Sequence, residues 1–279
     1  MTATLTAPTG VTITAPSTRR GPLGRGFRTL LATEAKVWTR DSSIFWVAFP
    51  TLILLLNVLI APSLREVAYG EGFENLQGHA VYGSAIVLLF LPAFMAMAMA
   101  MTTLAIMPVT LGGFREKGIF KVFSASPMRP TALFSAHAVI NVVASLAGTI
   151  LMVIVTAVLF PIEMPQNLAI TFVGFLLGMA ALLAVGSLIS AIVPKASVGT
   201  IVGNVAFFAF MFTSGAMGGI PQPGDTMYHI ARLQPMGAAA QVMQYGWIGG
   251  ESFPWIQLLV LVAWTAVCAP LAAKLFKWR

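Results

Sequence analysis

Six apolar stretches, each long enough to cross a lipid bilayer, occupy most of this 279-residue chain. A spanning helix needs about 20 mostly apolar residues, because the hydrocarbon core is about 30 Å thick and a helix rises about 1.5 Å per residue. Only 9% of the residues are charged, against about 25% in soluble domains. We therefore predict an all-α integral membrane protein with six transmembrane helices, at about 44–61, 81–110, 131–160, 168–193, 198–219 and 253–276. Pro92 and Pro108 predict a kink or break in the second span.

The chain offers few residues for catalysis or metal binding. Cys268 is the one cysteine, so no internal disulfide forms, and with three histidines it cannot supply the usual Cys/His zinc ligands. No lysine precedes Ser or Thr, which excludes a P-loop. Within the predicted spans the titratable residues are His137 and the terminal Lys274, which disfavours an ion-coupled carrier. We predict no catalytic, cofactor-binding or metal-binding residue and no enzymatic activity.

The basic residues indicate the orientation of the chain. With six spans, all but two of the 16 Lys and Arg residues lie on one side, and the exceptions are Arg65 and Arg232. Because cytoplasmic loops retain positive charge, this side is predicted to be the cytoplasm, and it contains both termini. The net charge of +7 then reflects topology, and no nucleic-acid partner is expected.

The chain before the first span has two predicted parts. Residues 1–24 are rich in Thr, Ala, Pro and Gly and lack an apolar run of signal-peptide length, so we expect a disordered cytoplasmic tail. In residues 25–40, Phe27, Leu31 and Trp38 recur at helical spacing among basic residues, which favours an amphipathic helix on the membrane surface. The alternative is a merely charged flank. Residues 25–279 are predicted to form one membrane domain.

The loop between the second and third spans concentrates scarce charge. Arg115, Glu116, Lys117 and Lys121 lie within seven residues. Residues 115–123 are predicted to form a short amphipathic helix, suited to docking in the groove of a partner protein. The alternative is a loop that only anchors the topology through its positive charge.

This loop resembles that of the membrane subunits of type-2 ABC transporters, the export permeases of bacterial drug and polysaccharide systems. The family has an Arg-Glu-x-Gly stretch followed by Ser-Pro or Thr-Pro, which Arg115, Glu116, Gly118, Ser126 and Pro127 match in order and spacing. The chain departs from the family at Ile119, where Thr is usual, and at Lys121-Val122, where Arg-Leu is usual. The resemblance extends from about residue 25 over most of the chain.

The resemblance implies a partner that supplies the energy. In the family this loop forms a cytoplasmic coupling helix on a separate P-loop ATPase, which binds ATP and Mg²⁺, so the present chain would hold no cofactor. It also implies a second six-span subunit, identical or related, a bacterial plasma membrane location, and short re-entrant outer helices within residues 215–250, before the last span. The residues assigned to ATPase coupling in this way are Arg115, Glu116, Lys117, Gly118, Phe120, Lys121 and Pro127.

The spans offer mainly apolar and uncharged polar side chains for a substrate. Met95, Met97, Met99 and Met101 alternate with Ala, and methionine surfaces adapt to varied apolar ligands. The favoured interpretation is that these residues fill space between helices or face lipid. The candidate pathway residues are Asn57, Met97, Met101, Asn141, Asn204 and Phe208. The leading hypothesis is the membrane subunit of an ATP-driven exporter of a hydrophobic or amphipathic compound. The alternative is an ATP-independent membrane scaffold or a passive channel.

Two glycine pairs predict close helix packing. Gly174 and Gly178, and likewise Gly199 and Gly203, are four residues apart, which lets a neighbouring helix approach the backbone. We expect these contacts to form within one subunit.

Overall fold

The computed structural model is built almost entirely from helices. It describes residues 32, 36, 43–60, 73–74, 80–81, 85–120, 130–159, 162, 164–214, 226–249 and 252–275. A two-stranded antiparallel ladder pairs β1 (Phe73–Glu74) with β2 (Ala80–Val81). The helices are α1 (Ser43–Ile60), α2 (Ala85–Ala100), α3 (Met107–Glu116), α4 (Pro130–Leu159), α5 (Leu168–Ile192), α6 (Ala196–Thr213), α7 (Thr226–Leu233), α8 (Pro235–Ile248) and α9 (Trp255–Leu275).

Five helical stretches in the described part of the chain are long and apolar enough to cross a membrane. They are Phe90–Glu116, Ser135–Leu159, Leu168–Ile192, Ala196–Thr213 and Trp255–Leu275. The first predicted span coincides with α1, which is not among these five, so the count of six spans stays a prediction. The predicted tail and surface helix before residue 41 lie outside the described residues, apart from residues 32 and 36.

The second predicted span is one continuous helical stretch from α2 to α3. A π-helical segment, Met101–Ile106, joins the two helices, and the Met107 N–H donates to the Thr102 carbonyl five residues earlier. Pro108 follows directly, and it has no N–H to donate to the Leu104 carbonyl. The helix therefore continues past Pro108 without a break, because the widened turn accommodates the proline, and the predicted kink stays a prediction. The stretch ends at Glu116, six residues beyond the predicted bound of 110.

Helix α8 lies in the core of the bundle. It packs against α2, α5 and α9, and almost all its side chains are buried. A Cβ added to Gly178 of α5 would lie 2.5 Å from the Ala239 Cβ, and one added to Gly174 would lie 2.8 Å from Val242 Cγ1. The close approach predicted from this glycine pair is confirmed within the chain. At the far end, the Asn167 N–H donates to the Gly246 carbonyl at 2.8 Å and connects the start of α5 to the end of α8.

Helix α4 places its polar side chains inward and its apolar side chains outward. Its buried polar residues recur every four or seven residues along one face, and the Ser145 hydroxyl lies 2.6 Å from the Thr102 hydroxyl of the π-helical segment. The opposite face exposes Val143, Ile154 and Val158. This distribution is the one expected for a helix between a polar bundle interior and lipid tails. The buried polar residues are His137, Asn141, Ser145, Thr149 and Thr156.

Candidate coupling site

The loop that carries the family motif begins inside the last turn of α3. Arg115 and Glu116 are the final residues of that helix, and Lys117 donates its backbone N–H to the Gly113 carbonyl at 3.0 Å. Gly118 then adopts a φ of 67°, which residues with a Cβ rarely adopt. Helical conformation resumes at residues 119–120. The predicted start of a separate helix at Arg115 is therefore wrong, because the left-handed turn at Gly118 divides residues 115–123.

Arg115 binds the end of α5. Its Nη1 donates to the Ser190 carbonyl at 3.1 Å and to the Val193 carbonyl, and its Nη2 donates to the Ala191 carbonyl at 3.4 Å. The last carbonyls of a helix have no partner within the helix and give that end a partial negative charge. The Arg115 guanidinium therefore caps α5 and complements its dipole. The same group lies 5.8 Å from the centre of the Phe120 ring.

Glu116 binds the start of α6. Its Oε2 accepts a hydrogen bond from the backbone N–H of Ala196 at 3.2 Å. Ala196 is the first residue of α6, where backbone N–H groups lack helical partners and the dipole is positive. Lys195 occupies the N-cap position of α6 and makes no side-chain capping bond among the described residues. Glu116 therefore supplies the cap from a different helix.

The two caps hold the turn 193–195 against the end of α3. A Cβ added to Gly112 would lie 2.8 Å from the carbonyl carbon and oxygen of Lys195, so only glycine allows this approach. We call Gly112, Arg115 and Glu116, together with the turn that they contact, the α3 clamp. The clamp thus joins three helix ends, two of them through oppositely charged side chains.

The remaining predicted coupling residues lie in different environments. Lys117 is exposed at the end of α3. Phe120 is only 2% exposed and packs edge-to-face on Phe114, with ring centres 6.4 Å apart, and Phe114 packs in the same way on His137. Phe120 therefore anchors the segment after Gly118 to the bundle in this structure. Lys121 and Pro127 lie outside the described residues.

The structure does not bring the predicted pathway residues together on one surface. Met97, Met101 and Asn141 are buried within the chain, and the Asn141 side chain donates to the His137 carbonyl at 2.8 Å. On α6, Asn204 donates to the Thr200 carbonyl at 2.8 Å, whereas Phe208 is 48% exposed. The side chain of Asn57 lies outside the described residues. The assignment of these residues to a substrate pathway stays a prediction.

Three glycine contacts extend the packing of the clamp into the bundle. A Cβ added to Gly199 would lie 2.5 Å from the Pro108 carbonyl oxygen, and one added to Gly203 would lie 2.4 Å from the Leu104 carbonyl oxygen. A Cβ added to Gly186 would lie 2.1 Å from the Thr103 carbonyl oxygen. The spacing of Gly199 and Gly203 predicted a close approach within the subunit, which is confirmed. The close contact at Gly186 was not predicted from the sequence, because no second glycine lies four residues from it.

The chain is similar in sequence to a known family of membrane proteins. A family model described as ABC-2 type transporter matches residues 25–247, a range that contains α1 through almost all of α8 and the whole clamp. The chain belongs to the ABC-2 type transporter family. None of the curated proteins compared with it matched.

Membership defines the general role of the chain. ABC-2 proteins are membrane components of ABC transporters, so this chain is a multi-pass permease subunit that associates with an ABC ATPase partner. Such subunits are generally not the ATPase themselves. Among the residues that the structure describes, no group of three or more His, Cys, Asp or Glu side chains could hold a metal ion.

Proposed function

We propose that this chain is the membrane-spanning subunit of an ATP-driven exporter that moves a hydrophobic or amphipathic compound out of the cytoplasm. A separate P-loop ATPase binds ATP and Mg²⁺ and provides the energy. The complete transporter contains a second six-span subunit, identical or related. It resides in a bacterial plasma membrane with both termini in the cytoplasm.

The α3 clamp is the observation that carries this proposal. An ATPase outside the membrane does work on a transporter only if its movement reaches the spanning helices through a stiff connection. In this chain the motif loop leaves α3 beside the point where Arg115 and Glu116 bind the ends of α5 and α6. A force on this loop therefore acts on three helices at once.

The character of the spans supports an apolar cargo. Within the five described spans, the charged residues are Arg115, Glu116 and Lys274, all in the last turn of a helix. A charged group at the centre of a bilayer is costly, and sites for ions or charged substrates usually contain compensating charges. Spans of this composition suit compounds such as drugs, natural products or lipid-like molecules.

Co-purification and reconstitution test the proposal. A tagged chain extracted from native membranes should bring a P-loop ATPase with it, identified by mass spectrometry. Inside-out vesicles that contain both proteins should accumulate a lipophilic fluorescent dye when ATP is added. The control is the same complex with the P-loop lysine of the ATPase changed to alanine. Retrieval of no ATPase, together with dye movement that ignores ATP, would favour a scaffold or a passive channel.

A further inference from the structure

Helix α3 and the π-helical segment before it contact the α5–α6 hairpin at several levels. From the bundle interior to the clamp, the paired backbone positions are Thr103 with Gly186, Leu104 with Gly203, Pro108 with Gly199, and Gly112 with Lys195. At each level an added Cβ would lie within 2.8 Å of a backbone oxygen. From Thr103 to Gly112 the helix rises about 14 Å, at about 1.5 Å per residue. Backbone therefore meets backbone over almost half of the hydrocarbon thickness of about 30 Å.

The side chains of the clamp make hydrogen bonds within the chain. Arg115 donates to three carbonyls at the end of α5, and one carboxylate oxygen of Glu116 accepts from the first amide of α6. Each bond pairs a charged side chain with the helix end of opposite polarity. Arg115 is partly buried, whereas Glu116 and Lys117 are both exposed. Arg115 and Glu116 thus bind the α5–α6 turn at the edge of the bundle, beside the exposed Lys117.

We infer that Arg115 and Glu116 are positioning residues for the α5–α6 turn. They tie this turn to the end of α3, so that the motif loop and the adjoining parts of α3, α5 and α6 move as one body. This inference rests on the proposed function, since it assigns the step by which ATPase movement enters the bundle. The ATPase then contacts the loop beyond the clamp, and the clamp transmits the movement.

Substitutions of Glu116 can distinguish a positioning role from an ionic contact with the ATPase, because glutamine keeps the hydrogen-bond acceptor and loses the charge. Glu116→Gln retains a carbonyl oxygen that can accept from the Ala196 N–H but carries no charge. Glu116→Ala removes both the acceptor and the charge. Lys117→Ala removes a neighbouring exposed charge without touching the clamp. A positioning role predicts that Gln substitutes for Glu, whereas an ionic contact with a basic ATPase surface predicts that it does not.

The first measurement is hydrogen–deuterium exchange of the complete complex in nanodiscs. In Glu116→Ala the amides at the start of α6 should exchange about fivefold faster, the factor that loss of a helix cap usually represents. Glu116→Gln and Lys117→Ala should exchange like the wild type. Equal exchange in Glu116→Ala and wild type would overturn the positioning role.

The second measurement is the number of dye molecules transported per ATP hydrolysed, with ATPase affinity measured in parallel. Glu116→Ala should lower this ratio about fivefold, because the free energy of the helix cap no longer contributes to coupling. The affinity of this variant for the ATPase should stay unchanged. Glu116→Gln should transport normally. Weakened ATPase binding in both Glu116 variants, with α6 exchange unchanged, would overturn the inference. If the wild-type complex itself fails to transport with ATP, the proposed function fails, and the exchange measurement still decides the positioning role.

Discussion

Replacing Gly186 with alanine should separate the α5–α6 hairpin from the π-helical segment. The added Cβ would lie 2.1 Å from the Thr103 carbonyl oxygen and 2.8 Å from its carbonyl carbon. A carbon and a carbonyl oxygen in favourable contact are about 3.3–3.6 Å apart. Both sides of this contact are helix backbone, so neither can yield by changing a side-chain rotamer. The helices must move apart by about 1.2 Å or more.

The cost of this displacement can be estimated from two opposing effects. Overpacking a well-packed interior costs about 1–3 kcal/mol, and a backbone clash of this size belongs near the upper value. Alanine recovers about 1 kcal/mol, because it has a higher helix propensity than glycine. The net loss of stability is then about 2 kcal/mol. For a domain of this size, that loss corresponds to a decrease of about 4–8 °C in the unfolding temperature.

Gly113 provides the matched control. It is also a helical glycine facing the start of α6, but a Cβ added there would lie 3.8 Å from the Ala196 Cβ, an ordinary van der Waals contact. Gly113→Ala should therefore leave the unfolding temperature unchanged or raise it slightly. Both variants are compared with the wild type by thermal unfolding of purified protein in one detergent. Equal unfolding temperatures for the two variants would refute the packing that we describe.

Three further substitutions test other parts of the structure. Gly118→Ala should destabilise the turn after α3 by about 1–2 kcal/mol, because Gly118 has a φ of 67°. Gly118→Asn should cost less, since Asn adopts this conformation more readily, and a chemical denaturation series measures both variants. Phe120→Ala should cost about 3–5 kcal/mol, since the ring is buried against Phe114, and an exposed Phe208→Ala variant is the control. Ser145→Ala should lower the free energy of unfolding by about 0.6 kcal/mol through loss of the hydrogen bond to Thr102. A double-mutant cycle with Thr102→Ala that gives no coupling energy would contradict this hydrogen bond.

Hydropathy predicted where the long helices lie but not how their ends are connected. Helices α4, α5 and α9 begin and end within two residues of the predicted bounds, because the apolar runs stop where the helices stop. The second span continues six residues past its apolar run, since the polar end of α3 is held by packing that no periodicity reveals. Helix α8 shows the same limit. Its 14 residues are too few to span a bilayer, and only its burial against α5 shows that it belongs to the core.

The motif residues were predicted to be important, but their binding partners could not be read from the sequence. Arg115 binds carbonyls that lie 75 to 78 residues further along the chain. Every residue type has a backbone carbonyl, so nothing in the side chains of Ser190 or Val193 indicates an acceptor. The family resemblance assigned both residues to contact with a partner, which stays a prediction, whereas their bonds to the helix ends at the α5–α6 turn come only from the structure.

The short turn between α5 and α6 explains why the clamp is needed. The end of α5 has carbonyls without helical partners, and the start of α6 has amides in the same condition. The turn supplies little to satisfy them, because Pro194 has no N–H and Lys195 at the N-cap makes no side-chain capping bond within the described residues. The first helix end needs a hydrogen-bond donor and the second an acceptor, and the charges of Arg and Glu also suit the polarity of these ends. Consecutive Arg and Glu residues at the end of α3 meet both requirements from one position, so replacing either should loosen one helix end and leave the other held.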